Sequence, residues 1–463
     1  MEEHWSDERF DLAVTGGTVI DVVGGRYLRA NVGIREGKIV CVTEQDIHGA
    51  RQIDAAGYLV SPGFIDFESH VDGDAYAAQC ILRQGGTTTL GGIRRLNGKL
   101  IRKIAEEGFL INQGFFVSQA FVLRDAVGIK NPYAPASPRE IGAMVDLAAR
   151  FMECGAFGIC FPLELAPGVT RKELLAISQV AKDYDRVVSV HLRKDGRESV
   201  AALDEVFEVA AKTGAKLHLL ELTYMAGMCG AMPAVLDAME QARHSGIDIT
   251  GSSQMYPHFT VCIGTGVFDG GWEKGYSGAD YSDLLVSSGI HAGERCTQEL
   301  FFHLRKERPS TLVTAFVGEE AAVRQALEKD FVFISTNAAD GPFYPSNGAP
   351  EVAGTFPRLL GRYARDLGCI SLMEAVRKIT ILPARRFQLE DRGSIEPGKR
   401  ADIVIFDEKT ILDRADFMDR GRPDEPPLGI HCVVVNGTVA LEEGIVRSDV
   451  KAGRLLFCGK SVK

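Results

Sequence analysis

The stretch GFIDFESH, residues 63–70, is a short apolar run that ends in Glu68, Ser69 and His70. Seven similar runs follow it: TTTLGG (87–92), GFFVSQ (114–119), GAFGICF (155–161), RVVSVHLR (186–193), KLHLLEL (216–222), IDITGSS (247–253) and FVFIST (331–336). Helical patterns separate them, such as PREIGAMVDLAARFMECG at 138–155. Eight strand–helix repeats predict an α/β fold with parallel strands closed into a (β/α)8 barrel. The alternative, an open doubly wound sheet, lacks a GxGxxG turn after its first strand.

The two ends of the chain have a different sequence pattern from the middle. LAVTGGTVID (12–21) and NVGIREGKIVCV (31–42) are β-rich near the N-terminus. RADIVIFD (400–407) and CVVVNGTVALEEG (432–444) repeat this pattern near the C-terminus, the latter around an Asn-Gly turn. We therefore predict a β-sandwich domain made of residues 1–60 plus 395–463, with the barrel at 61–394.

One connection is unusually long. Residues 259–317 follow the seventh run, contain no clear strand pattern, and include the glycine- and aromatic-rich segment GTGVFDGGWEKGYSGADYSD (264–283). Long loops inside compact domains are usually functional. Because this segment leaves the carboxyl end of a barrel strand, we predict a lid over the barrel mouth, the alternative being a surface insertion without a role.

Composition limits the classes of partner. The chain has 463 residues and a formal net charge of −10, which argues against nucleic acid or an anionic membrane surface as a ligand. No apolar run reaches the roughly 20 residues needed to span a bilayer, and the N-terminus lacks a signal-peptide pattern. The ten cysteines are scattered without a CxxC pair. Free thiols in a reducing cytoplasm are the expected state.

Polar residues gather where the predicted strands end, which is where barrel active sites lie. Glu68 and His70 are two residues apart and face the same side of a strand, while His191 and Glu221 end neighbouring strands. These four residues could hold one divalent metal ion. A histidine in an apolar strand is alternatively a hydrogen-bonded structural residue.

Further residues near the same rim complete the predicted site. We predict catalytic roles for Glu221, His258 and Asp340. We predict substrate contacts for Arg193, Tyr256 and Asn337.

Several motifs together resemble the amidohydrolase superfamily, and within it the D-aminoacylase (N-acyl-D-amino-acid deacylase) branch. They are DAAGYLVSPGFID (54–66), QGGTTT (84–89), LRDAVG (123–128), GAFGICFPLELAPG (155–168), SVHLR (189–193), YPH (256–258), GTFPRLLGRY (354–363), KITILPARRF (378–387) and GSIEPGKRADIVIFD (393–407). The resemblance covers nearly the whole chain. It implies a barrel with a β-sandwich built from both ends, and a zinc-dependent deacylase whose eighth-strand aspartate acts as the base.

The site departs from that family's pattern. Glu68 replaces the first histidine of its His-x-His, Glu221 replaces its sixth-strand histidine, and no cysteine ligand follows QGGTTT. Thr223 stands where the family has a lysine, and Ala349-Pro350-Glu351 where it has His-Pro-Arg. Asn337 stands at the eighth-strand acid in the simplest register, with Asp340 three residues on. The missing cations argue against plain N-acyl-D-amino acids as substrates.

Three functional hypotheses follow. The first is hydrolysis of an amide or cyclic amide C–N bond of a small molecule, with one divalent metal, zinc by resemblance, at a carboxylate-rich site. The second is a metal-free lyase, isomerase or condensing enzyme, and the third an inactive binding homologue. Two carboxylates in one cavity need a metal, a shared proton or a cationic substrate group, unless they pair with Arg193 and Arg94. Assembly into a homo-oligomer is also an expectation.

Overall fold

The computed structural model describes residues 5, 8–92, 98–276, 278–338 and 348–459. Its strands in chain order are β1 (Arg9–Thr15), β2 (Thr18–Asp21), β3 (Arg26–Arg29), β4 (Asn31–Arg35), β5 (Lys38–Thr43), β6 (His48–Asp54), β7 (Leu59–Pro62), β8 (Phe64–Asp66), β9 (Gly86–Gly91), β10 (Asn112–Phe115), β11 (Val117–Ser118), β12 (Gly158–Pro162), β13 (Val187–His191), β14 (Lys216–Leu219), β15 (Ile249–Ser253), β16 (Phe259–Cys262), β17 (Leu284–Val286), β18 (Leu312–Ala315), β19 (Val332–Ile334), β20 (Ile403–Phe406), β21 (Ile430–Val435), β22 (Thr438–Glu442) and β23 (Ile445–Val446).

The α-helices are α1 (Ala75–Arg83), α2 (Gly98–Glu107), α3 (Arg124–Ala126), α4 (Pro138–Glu153), α5 (Arg171–Asp183), α6 (Ser199–Thr213), α7 (Leu222–Met225), α8 (Met232–His244), α9 (Trp272–Gly275), α10 (Gln298–Glu307), α11 (Glu320–Leu327), α12 (Glu351–Arg358), α13 (Leu372–Lys378) and α14 (Ile381–Arg386). Single 3₁₀ turns cover Gly196–Glu198, Gly266–Phe268 and Tyr281–Asp283, and π-helical turns cover Gln119–Leu123 and Leu359–Asp366. In the described part of the chain, no helix is long and apolar enough to cross a membrane.

The eight predicted runs all become parallel strands of the barrel. β8, β9 and β10 pair in parallel, and so do β11, β12, β13, β14, β15 and β19. The third strand is split between β10 and β11 at Phe116, whose N–H donates to Gly91 O at 2.7 Å. Strands such as β12 and β13 are buried along their whole length, as expected for parallel strands covered on both faces. The predicted barrel is confirmed.

The barrel closes between its eighth and first strands. Thr336 donates to Asp66 through its N–H (3.0 Å) and its hydroxyl (2.5 Å), and His70 N–H donates to Ala338 O at 2.7 Å. These contacts bring the residues that follow β8 and β19 next to each other. The closure therefore places both ends of the predicted site side by side.

Both chain ends build a β-sandwich, as predicted. One sheet has the order β5-β4-β1-β6, and the other has the order β23-β22-β21-β20-β7-β2-β3. Val14, Val32, Ile403 and Val434 are buried in the core between them. The C-terminal segment differs from the predicted boundary. Leu455, Leu456 and Cys458 leave the sandwich and pack against barrel residues, because the chain here pairs with β10 through Gln113.

The 259–317 segment is more ordered than its sequence suggested. β16 and β17 pair antiparallel with β18 around an aromatic cluster that includes Phe268, Trp272 and Phe301. Its α9 turn approaches the residues after β13, since the Tyr276 hydroxyl donates to Asp195 at 3.4 Å. The many glycine and aromatic residues made these short strands difficult to recognise in the sequence. Their apolar residues pack within the insertion itself. The segment thus lies at the carboxyl ends of the barrel strands.

Candidate active site

A chain of hydrogen bonds links residues from four strand ends. His70 Nε2 lies 3.0 Å from Asn337 Oδ1, and Asn337 Nδ2 donates to Glu221 Oε1. The other oxygen of Glu221 lies against His191 Nδ1, and His191 Nε2 lies 3.0 Å from Asp195 Oδ1. Both oxygens of Glu221 are therefore held by donors, which fixes the orientation of this carboxylate.

Two residues of this hydrogen-bonded chain, Glu221 and Asn337, have a strained backbone. Glu221 (φ 57°) and Asn337 (φ 49°) are in the left-handed region, which non-glycine residues rarely occupy. Glu221 N–H donates to Ser252 Oγ at 3.0 Å, and Asp66 holds the residue before Asn337. Such strain persists where surrounding contacts enforce it and is concentrated at functional sites. The pair Glu221–Asn337 has this character.

Glu68 lies beneath this chain and is buried. Its Oε2 accepts hydrogen bonds from Ser252 Oγ (2.7 Å), Ser335 Oγ (2.6 Å) and Gln254 Nε2 (3.2 Å). Its Oε1 is buried and has no hydrogen-bond partner among the described residues. Burial and the nearby Glu221 carboxylate raise the pKa of Glu68 well above its usual value. Both effects favour the neutral form of the Glu68 carboxyl group.

His191 is surrounded by carboxyl groups. Burial lowers its pKa, but Glu164, Asp195 and Glu221 together raise that pKa well above the usual value. Glu164 Oε1 is 4.0 Å from His191 Nδ1. Burial is the main cause that raises the pKa of Glu164 to about 8. The raised pKa values favour the imidazolium form of His191 and keep Glu164 protonated at neutral pH.

A cavity of about 600 Å³ reaches this site at Glu164 and Asp195. It is bounded by the residues after β12, the residues after β13 and the α9 region of the insertion, and Glu164 and Asp195 line it. Neither residue was among the predicted site residues. Glu164 directly follows the fourth strand in the quoted motif GAFGICFPLELAPG, so its position at a strand end was the signal that could have identified it.

The structure brings together Glu68, His70, His191, Glu221 and Asn337, and places other predicted residues elsewhere. The Tyr256 hydroxyl donates to Asp413 at 3.1 Å, and Arg358 stacks on the Tyr256 ring at 4.4 Å, so Tyr256 is buried away from the cavity. This differs from the predicted substrate contact. Asp340 lies outside the described residues.

His258 and Arg193 also differ from the expected arrangement. His258 Nε2 lies 2.6 Å from Glu351 Oε1, behind Tyr224, whose hydroxyl donates to the same oxygen at 2.7 Å. Arg193 lines the cavity, but its guanidinium donates to Glu205 (2.9 and 3.0 Å) and to two backbone carbonyls. These contacts hold Arg193 as part of the wall.

The donor set does not fit the zinc centre that the resemblance implied. A histidine ligand needs one ring nitrogen available to the metal, whereas both nitrogens of His191 face carboxyl groups. The oxygens of Glu221 are engaged by His191 and Asn337. Among the residues that the structure describes, no three His, Cys, Asp or Glu side chains form a group that could hold a metal ion.

Comparisons with known proteins identify relatives of this chain. The N-acyl-D-glutamate deacylase of Alcaligenes xylosoxydans xylosoxydans is 28% identical, covering 93% of each chain, and the D-aminoacylase of the same organism is 27% identical, covering 96% of this chain and 97% of that one. A solved structure of N-acyl-D-glutamate deacylase from Bordetella bronchiseptica, complexed with zinc and a phosphonate inhibitor, has a TM-score of 0.86 at 25% identity, covering 97% of this chain and 100% of that one.

The predicted resemblance to the D-aminoacylase branch is confirmed by these relatives. The model of the amidohydrolase family matches residues 59–440. This range includes every barrel strand from β8 to β19 and extends into the C-terminal half of the sandwich. Because the match covers far more than half of its length, the chain belongs to the amidohydrolase family.

Proposed function

We propose that the protein hydrolyses the C–N bond of an amide or cyclic amide in a small molecule, without a metal ion. The observation that carries this proposal is the fixed hydrogen-bonded chain His70–Asn337–Glu221–His191–Asp195, whose last member, Asp195, lines a cavity. Family membership and the deacylase relatives support hydrolysis over the lyase or isomerase alternative. The ionisable chain also argues against an inactive homologue.

Glu221 is the general base in this proposal. Its carboxylate is held by Asn337 and His191, so it presents a fixed acceptor to a water molecule. Glu221 takes a proton from water as the water oxygen attacks the acyl carbon. His191 holds the Glu221 carboxylate in the orientation in which it accepts this proton.

Glu164 is the general acid. Its Oε2 is buried and has no hydrogen-bond partner among the described residues, and the raised pKa of about 8 keeps Glu164 protonated at neutral pH. Glu164 gives its proton to the departing nitrogen as the C–N bond breaks, and later regains one from Glu221. The net change adds one water across the bond. A carboxyl group that burial keeps protonated near neutral pH is a recurrent general acid.

The proposal also includes the insertion, the domain limits, Asp340, the cellular location and the assembly state. The 259–317 segment covers the cavity as a lid, and the domain limits follow the strands described above. Asp340 remains a predicted rim residue. The cytoplasmic location and assembly of identical chains also remain predictions.

Hydrolysis is tested with a panel of N-acyl amino acids, hydantoins and dihydropyrimidines, incubated in oxygen-18-labelled water. We expect one labelled oxygen in the new carboxylate of the product, because water is the nucleophile. Mass spectrometry of the product measures this. A product formed without label from water would indicate a lyase or isomerase and contradict the proposal.

Metal removal is expected to leave activity unchanged. His191 Nδ1 and Glu221 Oε2 are already engaged with each other and are not free to bind a metal ion. Dialysis against a chelator therefore removes no catalytic group. Elemental analysis should find less than one zinc per chain, and kcat/KM should match that of the undialysed protein. Loss of activity that added zinc restores would instead support the rival form of the proposal, one metal at Glu68, His70, His191 and Glu221.

A further inference from the structure

The backbone of the proposed general base is held by residues that the mechanism does not include. Glu221 follows β14 and directly precedes the single helical turn α7. Its backbone has φ 57° and ψ 43°, in the left-handed region. In this conformation its carbonyl oxygen accepts hydrogen bonds from Tyr224 N–H and Met225 N–H, both at 2.8 Å. The position of the Glu221 carboxylate therefore depends on the contacts that hold α7 and this backbone conformation.

Ser252 holds the backbone of Glu221 from the neighbouring strand β15. Because Glu221 N–H can only donate, Ser252 Oγ, at 3.0 Å, is its acceptor. A serine hydroxyl group carries one hydrogen, and Ser252 donates it to Glu68 Oε2 at 2.7 Å. A second acceptor, Leu219 O, is farther away at 3.4 Å. Glu68 thus fixes the direction of the Ser252 hydroxyl group, whose lone pairs remain available to Glu221 N–H.

Thr223 joins α7 to the end of the same strand. Its Oγ1 lies 2.6 Å from Ser253 Oγ, donates to Gln254 O at 2.9 Å and accepts a hydrogen bond from Gln254 N–H at 3.2 Å. Thr223 stands where the family resemblance implied a lysine. Its side chain is fully buried and is bonded to the segment after β15. Two hydroxyl groups therefore connect β15 to the residues at 221–223.

Neither hydroxyl group can act on a substrate directly. Ser252 and Thr223 are fully buried, and neither is among the described residues that line the cavity. A left-handed backbone at a non-glycine residue persists only where surrounding contacts enforce it. A change in φ at Glu221 would swing its carboxylate away from Asn337 and His191, so any effect on the reaction passes through Glu221.

We propose that Ser252 and Thr223 are positioning residues for the general base. They hold the strained backbone of Glu221 so that its carboxylate meets Asn337 and His191. Glu68 contributes by orienting the Ser252 hydroxyl group. This inference rests on the proposed function, in which Glu221 takes a proton from water.

Initial-rate kinetics of S252A and T223V test the inference. We expect kcat to fall about 10- to 100-fold in each variant, because a small displacement of a catalytic group is costly. KM should change little, since neither residue lines the cavity. The double variant S252A/T223V should lose less than the product of the two single losses, because both hydroxyl groups hold the same backbone. T223S keeps the hydroxyl group and should recover most of the kcat that T223V loses.

The matched controls are S61A and T380V, which remove the same two kinds of hydroxyl group elsewhere. Ser61 Oγ donates to Pro62 O at 2.9 Å, Thr380 Oγ1 donates to Val376 O at 2.6 Å, and both residues are fully buried. Both control variants should keep the wild-type kcat. Wild-type kcat in folded S252A and T223V, or an equal loss in the two controls, would overturn the inference.

Hydrogen exchange measured by mass spectrometry provides a readout that needs no turnover. In S252A the Glu221 amide loses its acceptor, so the peptide 216–225 should exchange faster than in the wild-type protein or in S61A. Unchanged exchange in this peptide would contradict the role of Ser252. Faster exchange in S252A, found for a protein without hydrolase activity, would contradict only the proposed function.

Discussion

Replacing Glu221 by Gln is expected to lower kcat/KM by about 10²- to 10⁴-fold, the range found when a positioned general base is removed. The amide has the same shape as the carboxylate and can still accept a hydrogen bond from His191 or Asn337. It cannot take a proton from water. The loss should therefore appear in kcat, with little change in KM, and initial-rate kinetics on the best substrate of the panel would measure it.

The control for this variant is E307Q, which makes the same chemical change at an exposed position in α10, outside the site. It should retain wild-type rates. Thermal unfolding of both variants tests whether the Glu221 change disturbs the fold, because Glu221 also holds His191 in place. Near-wild-type activity in a folded E221Q protein would remove Glu221 from the mechanism and leave the hydrogen-bonded chain a structural element.

The convergence of Glu68, His70, His191 and Glu221 was predictable from the sequence. Each follows an apolar run of strand length, and parallel strands of a barrel end at one rim. The eight runs were recognisable because each is flanked by a helical pattern. The β-sandwich was recognisable from the β-rich sequence pattern that both chain ends share.

The remaining features depend on side-chain directions that strand spacing does not encode. Tyr256 and His258 follow β15 as expected, but they turn toward Asp413 and Glu351 because those acceptors are contributed by distant segments. Asp195 reaches His191 from four residues later along the chain, immediately before the turn at Gly196–Glu198. Such contacts arise only when loops from separate repeats fold against each other.

The protonation of the site follows from burial rather than from residue type. The sequence predicted that paired carboxylates need a metal, a proton or a cationic group. The structure supplies an imidazolium at His191 and raises the pKa of both Glu68 and Glu164. Both shifts favour the neutral carboxyl form, which reduces the repulsion that a metal would otherwise have to balance.

The activity of the wild-type protein is expected to fall as the pH rises through about 8. Glu164 must be protonated to act as the acid, and its pKa is raised to about 8. In E164Q, kcat/KM should be about 10²- to 10⁴-fold lower, and the decline near pH 8 should disappear. The pH dependence of kcat/KM for both proteins measures this.

The E164Q variant is expected to be less active than the wild-type protein but more stable than it at pH 8. The folded state keeps the proton of Glu164 up to about pH 8, whereas the unfolded chain releases it near the usual value of 4.5. Between these pH values the folded state binds more protons, so the contribution of Glu164 to stability is fully present below pH 4.5 and is lost as the pH rises through 8. Glutamine carries no such proton.

Denaturant unfolding should therefore show similar stabilities for the two proteins at pH 4.5. At pH 8, E164Q should be the more stable protein, by up to about 4 kcal/mol. A mutant that is less active and equally stable at both pH values would place Glu164 in a solvated position and contradict its role as a buried acid.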